Sequence, residues 1–295
     1  MSTDNVQDTG NRPLTVLVTG AAGRVGRNVV DLLLGSGVSV RAMTRDPDAA
    51  RLPAEADVRF GDFGDPSTFA DVLAGVDKVF LFPNPVGAGK FVQAAHVAGV
   101  RHVVLLSSMS VLVSAPEANP ISNMHLGVER AVESSGLDWT FVRPTAFAAN
   151  TFAWGEGVRG GEVRLPYAEA EVAPIHERDI ARVAVQALLT DGHAGAAYAI
   201  TGPESLTQRR QVELIGAGTG RKVLVTDLTG DDARAQLAER YGPHSPPWLV
   251  DTVLQSLVES VGVVAETTDQ VERVTGRRPL TFADWVADNR AHFGG

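Results

Sequence analysis

Short apolar runs alternate with amphipathic ones along most of this chain of 295 residues. Val16-Leu17-Val18-Thr19 is followed by a helical pattern at Val29, Val30, Leu32, Leu33 and Leu34, and an extended run returns at Val38-Ser39-Val40-Arg41-Ala42-Met43-Thr44. Strand, helix, strand is the order of a βαβ unit. The alternation continues through Asp57–Phe60, Pro66–Leu73, Lys78–Phe82, Lys90–Ala98 and His102–Leu106. A helix is predicted from Pro120, capped by Asn119, with Ile121, Met124, Val128, Ala131 and Val132 as its buried stripe. Trp139–Arg143 is the next strand and stops at Pro144. Apolar runs without polar alternation suit parallel strands covered on both faces, so the expected class is α/β with a doubly wound parallel sheet.

Beyond Asn150 the pattern loosens around Gly155–Gly161. Asp179 is expected to cap a helix over Ile180–Leu189, Ala197–Ile200 to return to the main sheet, and further helices to follow at Gln208–Ile215, Asp231–Arg240, Trp248–Val261 and Phe282–His292. The expected organisation is a polar tail over 1–12, a sheet domain over 13–150 and a smaller, mostly helical substrate lobe over 151–295, with a segment near 197–201 rejoining the sheet.

Composition narrows the class. Hydrophobic residues make up 44% of the chain, enough for a full core, and no apolar stretch approaches the roughly 20 residues that span a bilayer. The polar start lacks a secretion signal, so a cytoplasmic location is expected. There is no cysteine, which removes disulfides, thiolate nucleophiles and cysteine metal sites. A net charge of -9 with no basic stripe argues against nucleic acid. His176-Glu177 lacks a second histidine at zinc-helix spacing, and Ser107, Ser108 and Ser110 lack the glycines of a nucleophile elbow.

The chemistry is concentrated between the first strand and helix. Gly20-Ala21-Ala22-Gly23-Arg24-Val25-Gly26 places three glycines three residues apart. Gly20 permits the tight turn, Gly23 lets backbone approach a phosphate, and Gly26 lets helix and strand pack closely, with helix-start amides facing the anion of a dinucleotide. The sheet is therefore expected to be Rossmann-like. At the end of the second strand, where an NAD site usually has an acid, the chain has Thr44 and Arg45. A guanidinium there suits a 2′-phosphate, with Arg24 reaching the same group, so NADPH is expected over NADH. Asp46 is read as part of a turn at Pro47. Asp62 is expected either near the adenine or as a helix-entry residue, and Ala22, Val25, Phe63, Phe82 and Pro83 complete the cofactor lining.

This run, with Arg45, Gly61-Asp62, Ser107-Ser108 and Arg143-Pro144, resembles the NmrA-like, atypical branch of the short-chain dehydrogenase/reductase superfamily. The ending Thr275-Gly276-Arg277-Arg278-Pro279 with Thr281-Phe282-Ala283-Asp284-Trp285 is also similar to that branch, and the likeness runs from Leu14 to Phe293. It is specific for the nucleotide fold and less so for chemistry. Members include NADPH-dependent quinone and triphenylmethane dye reductases, polyketide ketoreductases and redox-sensing regulators.

The wider superfamily uses a tyrosine four residues before a lysine, and this chain departs from that pattern. Tyr167, Tyr198 and Tyr241 are followed four residues on by Glu171, Gly202 and Ser245. Alignment through Glu129 puts Ile121 at the tyrosine position and His125 at the lysine position. Ser108 and His125 are then the candidate catalytic residues, His125 also contacting the nicotinamide ribose. Hydride transfer survives this loss because the cofactor carries it. The expected activity is NADPH-dependent reduction of a quinone or ketone of a conjugated or polycyclic molecule. The rivals are a non-catalytic NADP(H) sensor and a cofactor-retaining isomerase or dehydratase. Phe147, Phe152 and Trp154 are either a wall for a flat substrate or core.

Overall fold

The computed structural model describes residues 12–113 and 115–295. Residues 1–11 of the expected tail lie outside the described part. Arg12 is anchored: its guanidinium donates to Gly75 O at 2.6 Å and pairs with Asp77 at 2.9 Å.

The elements run β1 (Thr15–Thr19), α1 (Arg24–Leu34), β2 (Ser39–Thr44), β3 (Asp57–Phe60), α2 (Phe69–Leu73), β4 (Lys78–Leu81), α3 (Ala88–Val97), β5 (His102–Leu106), α4 (Pro120–Glu133) and β6 (Asp138–Pro144). Then follow α5 (Gly155–Gly160), β7 (Glu162–Pro166), β8 (Glu171–Val172), α6 (Glu177–Leu189), β9 (Ala196–Ile200), β10 (Leu206–Thr207), α7 (Gln208–Thr219), β11 (Leu224–Leu228), α8 (Gly230–Tyr241), α9 (Pro247–Glu259), α10 (Gln270–Thr275) and α11 (Phe282–Asp288).

Seven strands pair in the order β3-β2-β1-β4-β5-β6-β9, every neighbour parallel. The order reverses between β1 and β4, and ligands of open α/β sheets bind at such a switch point, outside the carboxyl ends of the strands. Because β5 is buried at all five positions, it reads as an unbroken apolar run rather than an alternating one. One face of the sheet is closed by α1 and α6, with Val29, Val30, Leu33, Ile180, Ala184 and Leu188 in a single core; α2, α3 and α4 close the other.

Asn119 caps α4 as expected, its Oδ1 accepting from Ile121 N and Ser122 N, and Val128 and Val132 are buried while Ile121, Met124 and Ala131 are only half-buried. The Asp179 cap is corrected: α6 starts at Glu177, and His176 Nδ1 accepts from Arg178 N. Asp179 is buried instead, accepting from Leu280 N and pairing with Arg182. The C-terminal half also holds a parallel pair, β7 with β11, that periodicity did not indicate. Among the described residues no helix is long and apolar enough to cross a membrane.

Candidate functional site

Backbone crowding at the β1–α1 turn demands glycine. Gly20 has φ +61°, and a Cβ there would also stand 2.9 Å from Phe82 Cβ. A Cβ on Gly26 would lie 2.2 Å from the Gly20 carbonyl oxygen, so α1 begins directly beneath the turn. Gly23 N donates to Gly20 O at 2.9 Å, closing the loop. No side chain caps α1, and its first turn holds no acid. Uncapped amides at a helix start, on a backbone stripped of side chains, are what a diphosphate needs. Ala22, Gly23 and Arg24 are exposed around them; the Val25 side chain is in the core, which leaves only its backbone to face a ligand.

Arg45 is exposed just beyond β2 and makes no ion pair among the described residues. Asp46 is spent on its turn, Oδ1 accepting from Ala49 N at 3.0 Å. Arg24 does not join Arg45 as expected: its guanidinium lies over the Phe152 ring, 3.9 Å from the centroid. This stacking lets a planar cation keep its charge near water while covering an apolar ring. Asp62 sits beyond β3 with Oδ1 accepting from Gly64 N at 2.9 Å. Phe63, just beyond β3, is half-buried, its ring 5.2 Å from that of Phe91. Phe82 stays 47% exposed above Gly20, a ring at the switch point, with half-buried Pro83 after it.

The far end of the sheet meets α4. Glu129 is buried and accepts from Ser107 Oγ at 2.6 Å, from Arg143 Nε at 2.9 Å and from Arg143 Nη2 at 2.8 Å. This buried, bidentate pair locks α4 onto the ends of β5 and β6. Nothing in the sequence marks Glu129 for this role, since a lone Glu fourteen residues before Arg143 gives no local signal of pairing. Ser108 Oγ accepts from Ser110 N at 3.1 Å, capping a 3-10 turn over Met109–Leu112. Ser122 Oγ donates to Ser110 O at 2.7 Å.

Next to these contacts are the two buried side-chain polar atoms that lack a partner among the described residues, Ser110 Oγ and His125 Nδ1. Burial holds His125 below the usual histidine pKa, against the opposing pull of Glu129. Its imidazole is therefore neutral at pH 7, with one nitrogen a donor and the other an acceptor. A buried polar atom without a protein partner is costly, which makes this pair a candidate place for a ligand group or a bridging water.

A cavity of roughly 560 Å³ opens at the glycine turn itself, lined among others by Gly23, Arg24, Arg27, Phe152, His176 and Asp288. Beside it Glu177 accepts from Ala149 N at 2.7 Å and from Trp285 Nε1 at 2.9 Å, tying α6, the segment after β6 and α11 together. Phe152 is stacked on Phe293, tilted against Trp285 and edge-on to His292, so this half-buried ring packs on the lobe core while lining the cavity. Among the described residues no group of three or more metal-ligating side chains could hold an ion.

The sequence profile of the family described as NAD(P)H-binding matches residues 20–191, which span the turn, all of α4 and α6. The chain is 39% identical over 285 residues to the (4-alkanoyl-5-oxo-2,5-dihydrofuran-3-yl)methyl phosphate reductase of Streptomyces griseus, covering 94% of this chain and 99% of that protein. It is 34% identical over 290 residues to the NAD(P)H azoreductase of Xenophilus azovorans, covering 95% and 99%. In fold it is similar to the triphenylmethane reductase of a Citrobacter species, with a TM-score of 0.79 at 20% identity over 94% of this chain and 99% of the other. The structure of that reductase complexed with NADP(H) gives a TM-score of 0.77 at 19% identity, over 93% and 99%.

The chain belongs to the NAD(P)H-binding family, in the NmrA-like, atypical branch of the short-chain dehydrogenases/reductases. It is an NAD(P)H-dependent reductase of that type.

Proposed function

We propose that the chain uses NADPH to reduce an electron-poor conjugated carbonyl compound, an acylated butenolide being the best fit. The observation that carries this reading is the orphaned pair Ser110 Oγ and His125 Nδ1 at a site with no tyrosine–lysine couple. The Streptomyces griseus relative is named for a dihydrofuranone whose ring alkene is flanked by a lactone carbonyl and an alkanoyl carbonyl. Hydride added to the far carbon of such an alkene leaves the electron pair shared between two carbonyl oxygens. An anion that stable takes its proton from water, so no strong acid is required. The missing acid and the activated acceptor account for each other.

The residues divide the work by position. NADPH bound at the switch point supplies the hydride. The turn from Gly20 to Gly26 holds the diphosphate with the first amides of α1, and Arg45 grips the 2′-phosphate. The Ser110 hydroxyl and the N–H of neutral His125 donate to the two carbonyl oxygens, stabilising charge that develops there. The Glu129–Arg143–Ser107 network fixes the pitch of α4 and hence the place of His125.

Following NADPH absorbance with acyl-butenolide phosphates, quinones and an azo dye tests the proposal. Oxidation with the butenolides is expected. Tight NADPH binding with no turnover of any of these acceptors would overturn it.

A further inference from the structure

Helix α9 carries an apolar stripe that the fold does not bury. Leu249, Val250, Val253, Leu254 and Leu257 recur at three- and four-residue steps on one side of the helix, while Asp251, Thr252, Gln255, Ser256 and Glu259 take the other. The helix is held at its polar side by an ion pair between Arg234 and Asp251, and it packs on α8 and α4. No residue of α9 is fully buried, yet every member of the stripe is half-buried. A stripe pressed into a core would be sealed and one facing bulk water would be open. Half-burial along its whole length leaves a partly open apolar strip.

The surroundings of this strip are of one kind. α4 leaves Ile121, Met124 and Leu126 half-buried, and the turn packed on the same helix exposes Leu112 (53%) and Val113 (47%). These groups are aliphatic or thioether. Phe152, Phe282, Trp285 and Phe293 of the lobe are engaged with one another, Phe152 with Trp285 and Phe293, and Phe282 with Trp285. The one ring of α9, Trp248, is 37% exposed among the polar positions, so a flat polycyclic guest would find no ring within the stripe, whereas a hydrocarbon chain would find branched aliphatic contacts along it.

We propose that this strip binds the aliphatic acyl chain of the acceptor, laid along α9 while the carbonyl groups meet Ser110 and His125. The proposal rests on the acyl-butenolide reading above and adds to it the place of the chain and a selection for its length.

The test uses (4-alkanoyl-5-oxo-2,5-dihydrofuran-3-yl)methyl phosphates bearing acetyl, hexanoyl and decanoyl chains. Binding is measured by calorimetry on the full chain loaded with NADP, where no hydride can pass, and turnover is measured separately with NADPH. The dissociation constant is expected to fall about fourfold for each methylene that the strip covers. In the double variant Val253→Asn/Leu257→Asn that dependence is expected to flatten; both side chains are half-exposed, and far-UV circular dichroism checks the fold. Equal dissociation constants for the acetyl and decanoyl compounds in the unmodified protein would overturn the proposal, whether or not turnover is seen. So would a chain-length dependence that persists in the folded double variant, or a dimer in sedimentation that the variant dissolves, which would make the stripe a self-association face. A clear dependence in binding with no NADPH oxidation would support the strip and count against the reductase reading, so the two fail separately.

Discussion

A methyl group on Gly26 would stand 2.2 Å from the carbonyl oxygen of Gly20, inside any permitted contact. Gly26→Ala must therefore push α1 away from β1 at the point where the first amides of the helix meet the coenzyme. NADPH affinity is expected to fall at least tenfold, and stability by roughly 1–3 kcal/mol, the range of overpacked cores. Calorimetric titration and urea unfolding read the two effects separately.

Arg45 makes no ion pair among the described residues and Arg24 is stacked on Phe152, so the two arginines should respond differently to removal. Arg45→Ala is expected to weaken NADPH by about tenfold or more, the scale of a lost charge-assisted contact, and to leave NADH nearly unchanged. Arg24→Ala should cost less affinity and more stability, because it uncovers the Phe152 ring. Dissociation constants for both coenzymes, taken with both variants, decide this; equal losses of NADPH and NADH in Arg45→Ala would remove that residue from the phosphate.

His125 Nδ1 is an orphan, and replacing an unsatisfied buried polar group by an apolar ring of similar size is neutral or stabilising. His125→Phe should keep or raise the melting temperature while lowering kcat/KM at least tenfold. Loss of both together would mean that His125 serves packing alone. Because burial holds its pKa down, the active neutral form persists below pH 6.5, and kcat/KM should stay flat on the acidic side until the protein itself loosens.

That loosening has a candidate source in His102, at the start of the interior strand β5 and so at the opposite end of the strands from the site. Its Nε2 donates to Thr140 Oγ1 at 2.9 Å, and burial, aided by Lys78, pushes its pKa down to about 4. The unfolded chain takes up this proton near pH 6.5 and the folded chain does not, so stability falls as the pH drops from 6.5 to 4 and is level above that window. The loss is on the order of 2 kcal/mol after allowance for solvent screening. Urea midpoints across this range, compared with His102→Gln, should show the slope in the parent protein and a shallower one in the variant.

The glycine turn and the parallel strands were legible because their causes are local. A missing Cβ at Gly20 or Gly26 is written in the residue itself, and strands buried on both faces have no polar alternation to read. What escaped depends on partners far along the chain. Asp179 looks like a cap until Leu280 N is seen to donate to it, and Arg24 looks free for a phosphate until Phe152 arrives beneath it. β7 gained its strand character from β11, sixty residues on, through a register that no single segment encodes. At the candidate site the position of His125 was readable from helix spacing, but the lack of a partner for its Nδ1 was not.

β9 returns to the main sheet beside β6 after the chain has already begun the lobe, and α6 on the way back covers α1. The polypeptide is thus stitched through both halves, and neither can be released by cutting at one point. A fragment ending at residue 150 would leave Val29, Val30 and Leu33 wetted where Ile180, Ala184 and Leu188 belong. Heating should melt the whole molecule in one cooperative step, and evolution could remodel α8 and α9 without being able to trade away the C-terminal half.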